Sequence, residues 1–222
     1  MILLEPHGTR IPTSLPDLAA FRAWTRSDRF PEAGRIDWIA GEVHIDMSPE
    51  SFNSHATPKA ALVGDLRALV DKSGLGVTVT DSMRYVCEEA DLSTEPDVVV
   101  LLYDSVESDR VRLVPRERAE DFVEIEGAAD IVVEVVSDSS TKKDNLTLLA
   151  KYHAAGVREY WLVDARGEDV RFTLHLWRPE GFEVTAPDEK GFRFSEVLGL
   201  SVRLVRLAPR AGIVGYELES RR

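Results

Sequence analysis

The sequence predicts an α+β fold built on a mixed β-sheet, and three observations carry that expectation. Two apolar runs, Val98-Val99-Val100-Leu101-Leu102 and Ile131-Val132-Val133-Glu134-Val135-Val136, do not alternate, which is the pattern of strands covered on both faces. A helical stretch over about 141–155, ended by Gly156, runs straight into an apolar strand over 159–163. Strand, helix and strand in so short a span imply a crossover and a parallel pair. From Val170 onward the chain alternates apolar and polar residues instead, as antiparallel strands do.

The remaining elements follow from caps and periods. Thr13 can cap a helix running to about Asp28, with Leu15, Leu18, Ala19, Phe21, Ala23 and Trp24 on its apolar face. Residues 35–40 and 42–47 alternate around Gly41 as a hairpin with one wet face, closed by Ser48-Pro49. From about 53 to 72, Ala56, Ala60, Val63, Leu66, Leu69 and Val70 recur at helical period, and Gly74 stops the helix. Residues 76–87 and 97–103 read as strands. The stretch 104–130 is the most polar of the chain and is expected as an excursion with one short helix or irregular turns, without chemistry. Turns at 178–181 and 188–191 divide the C-terminal strands. With no repeat, low-complexity tract or linker, residues 1–222 read as a single domain.

Composition narrows the function classes. With 44% hydrophobic, 30% charged and 8% aromatic residues the chain is globular, and its apolar runs are far shorter than the roughly 20 residues that cross a bilayer. The opening Met1-Ile2-Leu3-Leu4-Glu5-Pro6 lacks a basic flank and is cut by an acid and a proline, so a cytoplasmic protein is expected rather than an exported one. The single Cys87, without a disulfide partner, agrees with that compartment and reads as a packing residue. Against 27 Lys+Arg stand 39 Asp+Glu, a formal charge of −12. That balance excludes a broad basic face; contact with a polyanion must be local, metal-assisted or shared across an oligomer. Gathered carboxylates also suit a divalent cation.

Glu134 stands in the middle of an apolar strand, where an isolated carboxylate costs several kcal/mol (~) unless it is protonated, paired or bound to a metal. An ion pair with an arginine is the plain structural answer. Asp97, at the mouth of the other buried strand and directly after Pro96, suggests a different one. If the two strands are neighbours, the carboxylates converge on one side of the sheet, and with no neutralising partner between them they make a Mg²⁺ or Mn²⁺ site. On the following helix Asp144, Thr147, Leu148 and Lys151 recur at helical spacing, so Lys151 can point over the sheet edge toward that site or simply pair with Asp144. Tyr152 is a candidate for the pocket wall. Ser137 and Ser139 are turn residues, and a hydroxyl beside Glu134 can steady it.

Three segments carry a resemblance: Glu95-Pro96-Asp97-Val98-Val99-Val100, Ile131-Val132-Val133-Glu134-Val135-Val136-Ser137, and Lys151-Tyr152 through Gly156-Val157-Arg158-Glu159-Tyr160-Trp161-Leu162-Val163-Asp164. With Gly41-Glu42, Ser48-Pro49 and His55 upstream, the chain from about 36 to 164 resembles the Uma-two family of restriction-endonuclease-like proteins. The resemblance implies a PD-(D/E)XK nuclease fold, flanked by helices and followed here by extra antiparallel strands. It implies a Mg²⁺ or Mn²⁺ ion held by motif acids, with hydrolysis of phosphodiester bonds as the reaction. Asp97 and Glu134 match the motif acids and Lys151 the lysine, because Val136 stands where the usual motif has one. Glu42 is a further acid for the metal or a solvent-facing hairpin residue, and His55 a proton carrier, a substrate contact or a helix-terminal surface residue. DNA is the expected substrate, a homodimer the expected assembly, and no membrane is involved. The competing expectations are a catalytically idle binding or assembly module and a hydrolase of small phosphoesters.

Overall fold

The two apolar runs form adjacent strands at the centre of the molecule. The computed structural model describes residues 2–4, 9–12, 14–31, 34–116, 121–137 and 143–222, apart from the side chains of 2–4, 9–10 and 143–145. A short hairpin, β1 (Ile2–Leu4) and β2 (Thr9–Ile11), precedes helix α1 (Leu18–Thr25). This helix is shorter than the pattern suggests. Its cap is Asp17, whose carboxylate accepts the Ala20 N–H at 2.8 Å; Thr13 lies outside the described residues.

The expected hairpin is β3 (Arg35–Ile39) and β4 (Glu42–Asp46), and a π-helical turn (Phe52–Ala56) then runs into α2 (Thr57–Leu69). Residues 76–87 are two strands, β5 (Gly76–Thr80) and β6 (Arg84–Cys87), in different sheets. The chain leaves one sheet for the other at Ser82, whose φ of 62° belongs to a turn. There follow β7 (Leu92–Thr94), β8 (Val98–Leu102), α3 (Tyr103–Glu107), β9 (Val111–Pro115) and β10 (Phe122–Gly127). The polar stretch thus holds an antiparallel strand pair as well as the short helix. Its alternation is masked because Glu124, in the middle of β10, is buried against Arg22. Next come β11 (Ile131–Val135), a π-helical turn (Lys143–Leu148) leading into α4 (Leu149–Ala154), and β12 (Glu159–Asp164). The tail supplies β13 (Arg171–Leu176), β14 (Glu183–Val184), β15 (Arg193–Ser195), β16 (Leu200–Arg206) and β17 (Tyr216–Arg221).

The central sheet has the order β14-β13-β12-β11-β8-β5. Here β11 and β12 are parallel, as the crossover requires, while β8 is antiparallel to β11. A second sheet runs β4-β3-β7-β6-β10-β9, and a third runs β15-β16-β17. One face of the central sheet packs Val98, Val100, Val133 and Trp161 against Leu62 and Leu66 of α2 and against the third sheet. The other face packs Val99, Val132 and Tyr160 against Tyr85 and Ile125 of the second sheet and Tyr152 of α4. Each valine so buried contributes roughly 1.5–3 kcal/mol. No described helix is long and apolar enough to cross a membrane.

Candidate active site

The antiparallel register of β8 and β11 sets Val98 opposite Val133. One step further, Asp97 comes opposite Glu134, on the face that carries Val99 and Val132. Both are nearly hidden, at 3% and 1% exposure. The Val135 N–H donates to Asp97 Oδ2 at 2.7 Å, and the Thr80 hydroxyl donates to the Asp97 carbonyl at 2.8 Å, so β11 and β5 together fix this residue.

Arg35, at the start of β3, points into the same space with a side chain 23% exposed. Its Nη2 donates to both Glu134 oxygens at 3.2 Å, its Nε lies 3.2 Å from Asp37 Oδ2, and its Nη1 lies 4.0 Å from Asp97 Oδ1. The acids therefore have a neutralising cation beside them, contrary to the sequence expectation, and the plain ion-pair answer holds for Glu134. Burial works against the guanidinium's charge, yet Glu134, Asp37 and Asp97 hold its pKa well above the ordinary arginine value. The Tyr152 hydroxyl donates to Glu134 Oε1 at 2.7 Å, and burial beside that carboxylate pushes the phenol far up.

On the other side of Asp97 lies the π-helical turn before α2, which buries His55. His55 Nε2 is 3.5 Å from Asp97 Oδ2 and Nδ1 is 3.4 Å from Glu50 Oε2. Nδ1 is buried and makes no hydrogen bond. One turn along, Lys59 Nζ sits 2.6 Å from Glu50 Oε1, 3.2 Å from Asp81 Oδ1 and 3.9 Å from Asp97 Oδ1. Burial opposes the charge of His55, but Asp97 and Glu50 outweigh it and raise the imidazole pKa. Burial likewise raises the Asp97 carboxyl, while His55, Arg35 and the Val135 amide more than offset it, leaving it below the ordinary aspartate value. Desolvation of Lys59 is similarly outweighed, first by Glu50.

One donor atom each from Glu50, His55 and Asp97 lie within 4.8 Å of one another. Two carboxylate oxygens and an imidazole nitrogen suit a divalent ion, and the imidazole favours Mn²⁺ over the oxygen-seeking Mg²⁺. The orphaned Nδ1 fits that donor set, since a buried polar atom without a partner is costly.

Other expected site residues are placed elsewhere. Glu42 pairs with Ile39 at the end of the β3–β4 hairpin remote from Arg35; its side chain is 79% exposed and lies 3.9 Å from His44. It is not brought to the acids, and its position is that of the solvent-facing hairpin residue. Lys151 donates to the Ala90 carbonyl at 2.7 Å, while its neighbour Tyr152 takes the direction of Glu134. Ser137 is half-buried just beyond β11. The side chain of Asp144, and Ser139 altogether, lie outside the described residues. Conversely, Arg35, Asp37, Glu50 and Lys59 have no marked signal in the sequence. The one trace is that Arg35 and Asp37 alternate on the hairpin face taken as wet, which here faces buried carboxylates.

Comparison with known proteins bears on this arrangement. A family model described as "Uma2: Putative restriction endonuclease" matches residues 18–202. Among solved structures, the chain is similar to a crystal structure described as "a putative nuclease belonging to DUF820 from Anabaena variabilis". The TM-score is 0.55 at 19% identity, over 74% of this chain and 83% of that one. At that identity the likeness is one of fold, and it agrees with the mixed α+β architecture described above. No curated protein matches.

Proposed function

The chain belongs to the Uma2 family, and we propose that it is a divalent-metal-dependent endonuclease that hydrolyses phosphodiester bonds, with DNA as substrate. The observation that carries this reading is the convergence of Glu50, His55 and Asp97, two of them buried, beside the basic groups Lys59 and Arg35. Glu50, His55 and Asp97 would hold Mn²⁺ or Mg²⁺. Such an ion supplies Lewis acidity toward the phosphodiester and helps draw a polyanion onto an acidic molecule.

The chain's own residues divide the remaining work. Lys59 takes the part expected of Lys151: its ammonium sits beside Asp97 and can donate to a phosphoryl oxygen as negative charge builds. His55 has its two nitrogens facing Glu50 and Asp97; with Nδ1 given to the ion, it can hold or pass a proton at Nε2, beside Asp97. Arg35 and Tyr152 fix the orientation of Glu134, and the Val135 amide fixes Asp97. Two such sites in a homodimer, acting in the cytoplasm, would cut both strands of a duplex.

The test is incubation of the protein with supercoiled plasmid, single-stranded DNA and RNA in Mg²⁺ or Mn²⁺. Asp97→Ala and EDTA serve as controls. Metal-dependent cleavage lost in both controls is the expected result. Absence of cleavage on every substrate with folded, metal-supplied protein would favour a second reading, a nuclease-fold binding or assembly module, which has its support in the arginine already paired with Glu134.

A further inference from the structure

Arg35 places one rigid, permanently charged fork among three carboxylates: Asp37 and Glu134 lie at 3.2 Å and Asp97 at 4.0 Å. Their side chains are 1%, 1% and 4% exposed, so water screens this cluster little. A second cation in the same space would face the guanidinium at contact distance. On the opposite side of Asp97 the arrangement differs. Lys59 there is a flexible point charge whose partners Glu50 and Asp81 are both about half exposed, so it can lean toward Asp81 and leave the donors of Glu50, His55 and Asp97 open. His55 Nδ1, buried and without a hydrogen bond, belongs to this side.

We propose that Arg35 is a resident cation that closes the space among Asp37, Asp97 and Glu134 to metal, so that the site holds one divalent ion, on the side of Glu50, His55 and Asp97. The inference rests on the metal reading given above and deepens it by setting the number of ions. Arg35 is here a positioning and selectivity residue, not a catalytic one. Removing its charge while keeping a polar side chain opens a second acidic site that shares Asp97 with the first.

The experiment counts Mn²⁺ bound per chain, by equilibrium dialysis and by loss of the free-ion signal in electron paramagnetic resonance, on the full chain without substrate. Wild type is expected to bind one ion, Arg35→Lys one, and Arg35→Gln two. A count of one in both wild type and Arg35→Gln, or of two in wild type, overturns the proposal. If wild type binds none and Arg35→Gln binds one, the assignment of metal to Glu50, His55 and Asp97 fails while the exclusion by Arg35 stands; none in either overturns both. If Arg35→Gln does not fold, Arg35→Gln/Asp37→Asn relieves part of the acid excess. Gain of an ion in that double variant supports the proposal. Failure to gain one, or to fold with and without Mn²⁺, makes Arg35 a purely structural residue and overturns it.

Discussion

Glu134 and Glu159 stand on neighbouring parallel strands, equally hidden, and do different things. Glu159 accepts from the Trp161 indole at 2.9 Å, the Ser195 hydroxyl at 2.8 Å and the Val197 amide at 2.8 Å. These three donors are neutral, and those from Ser195 and Val197 tie the central sheet to the segment around β15. Glu134, on the other face, is bound by Arg35 and Tyr152 and lies across the ladder from Asp97 and its histidine. A buried acid in an apolar strand therefore marks either a structural tie or a site. What separates the two is whether the partners are cations and further acids, and whether the cluster reaches solvent, as Glu50 does here.

This contrast can be broken most sharply at Asp97. Asp97→Ala should lower metal-dependent cleavage by on the order of 10²–10³-fold or more, with the circular dichroism spectrum unchanged; full cleavage by a folded variant would remove the site from this side of the sheet. Lys59→Met should cost about 10–100-fold in cleavage, measured as initial rate at saturating Mn²⁺. At Glu159 the effect should fall on stability instead. Glu159→Gln should cost about 1–3 kcal/mol in denaturant unfolding and leave the cleavage rate within about twofold, because a donor loses its acceptor but no metal group changes.

The same variant sharpens the comparison through pH. Burial pushes the Glu159 carboxyl above its ordinary 4.5, against the three donors. A raised carboxyl binds its proton more tightly when folded than when unfolded, so this group's contribution falls as pH rises through the window just above 4.5. Glu159→Gln should flatten that part of the stability profile. Smaller still, Lys151→Met should cost about 1 kcal/mol, since the Ala90 carbonyl loses its donor, and Glu42→Ala should stay within about 0.5 kcal/mol. Neither should slow cleavage; a large loss in either would draw the end of the hairpin or the Ala90-facing side of α4 into the chemistry.

The contrast also explains what was legible in the sequence. Strands β8, β11 and β12 announce themselves because both faces are apolar, and Asp97 and Glu134 stand out against that background. In the second sheet the β3–β4 hairpin is legible but β7, β9 and β10 are not, since β7 is only three residues long and the interior of β10 is charged, its Glu124 hidden by Arg22 from α1. The bases of the site are hidden for a similar reason. Arg35 occupies a hairpin position that reads as solvent-facing, and Lys59 sits on an ordinary-looking helix turn; what makes them interior is pairing with residues remote in the chain, which no local period records. Residues on α4 carry the opposite lesson. Lys151 and Tyr152 are adjacent, but a helix turns about 100° between them, and the neighbour with the hydroxyl is the one that meets Glu134.

The pair Arg35 and Glu134 spans 99 positions of sequence, and Tyr152 comes later still. During synthesis from the N-terminus, no emerging chain that stops short of Glu134 can possess the acid cluster, however much of the earlier hairpin and α2 has formed. Contacts this distant are slow to form because the chain must close a long loop before anything is gained. The acid cluster, and with it the proposed site, is thus withheld until Glu134 has been made, and its appearance reports that the second sheet has docked on the central one.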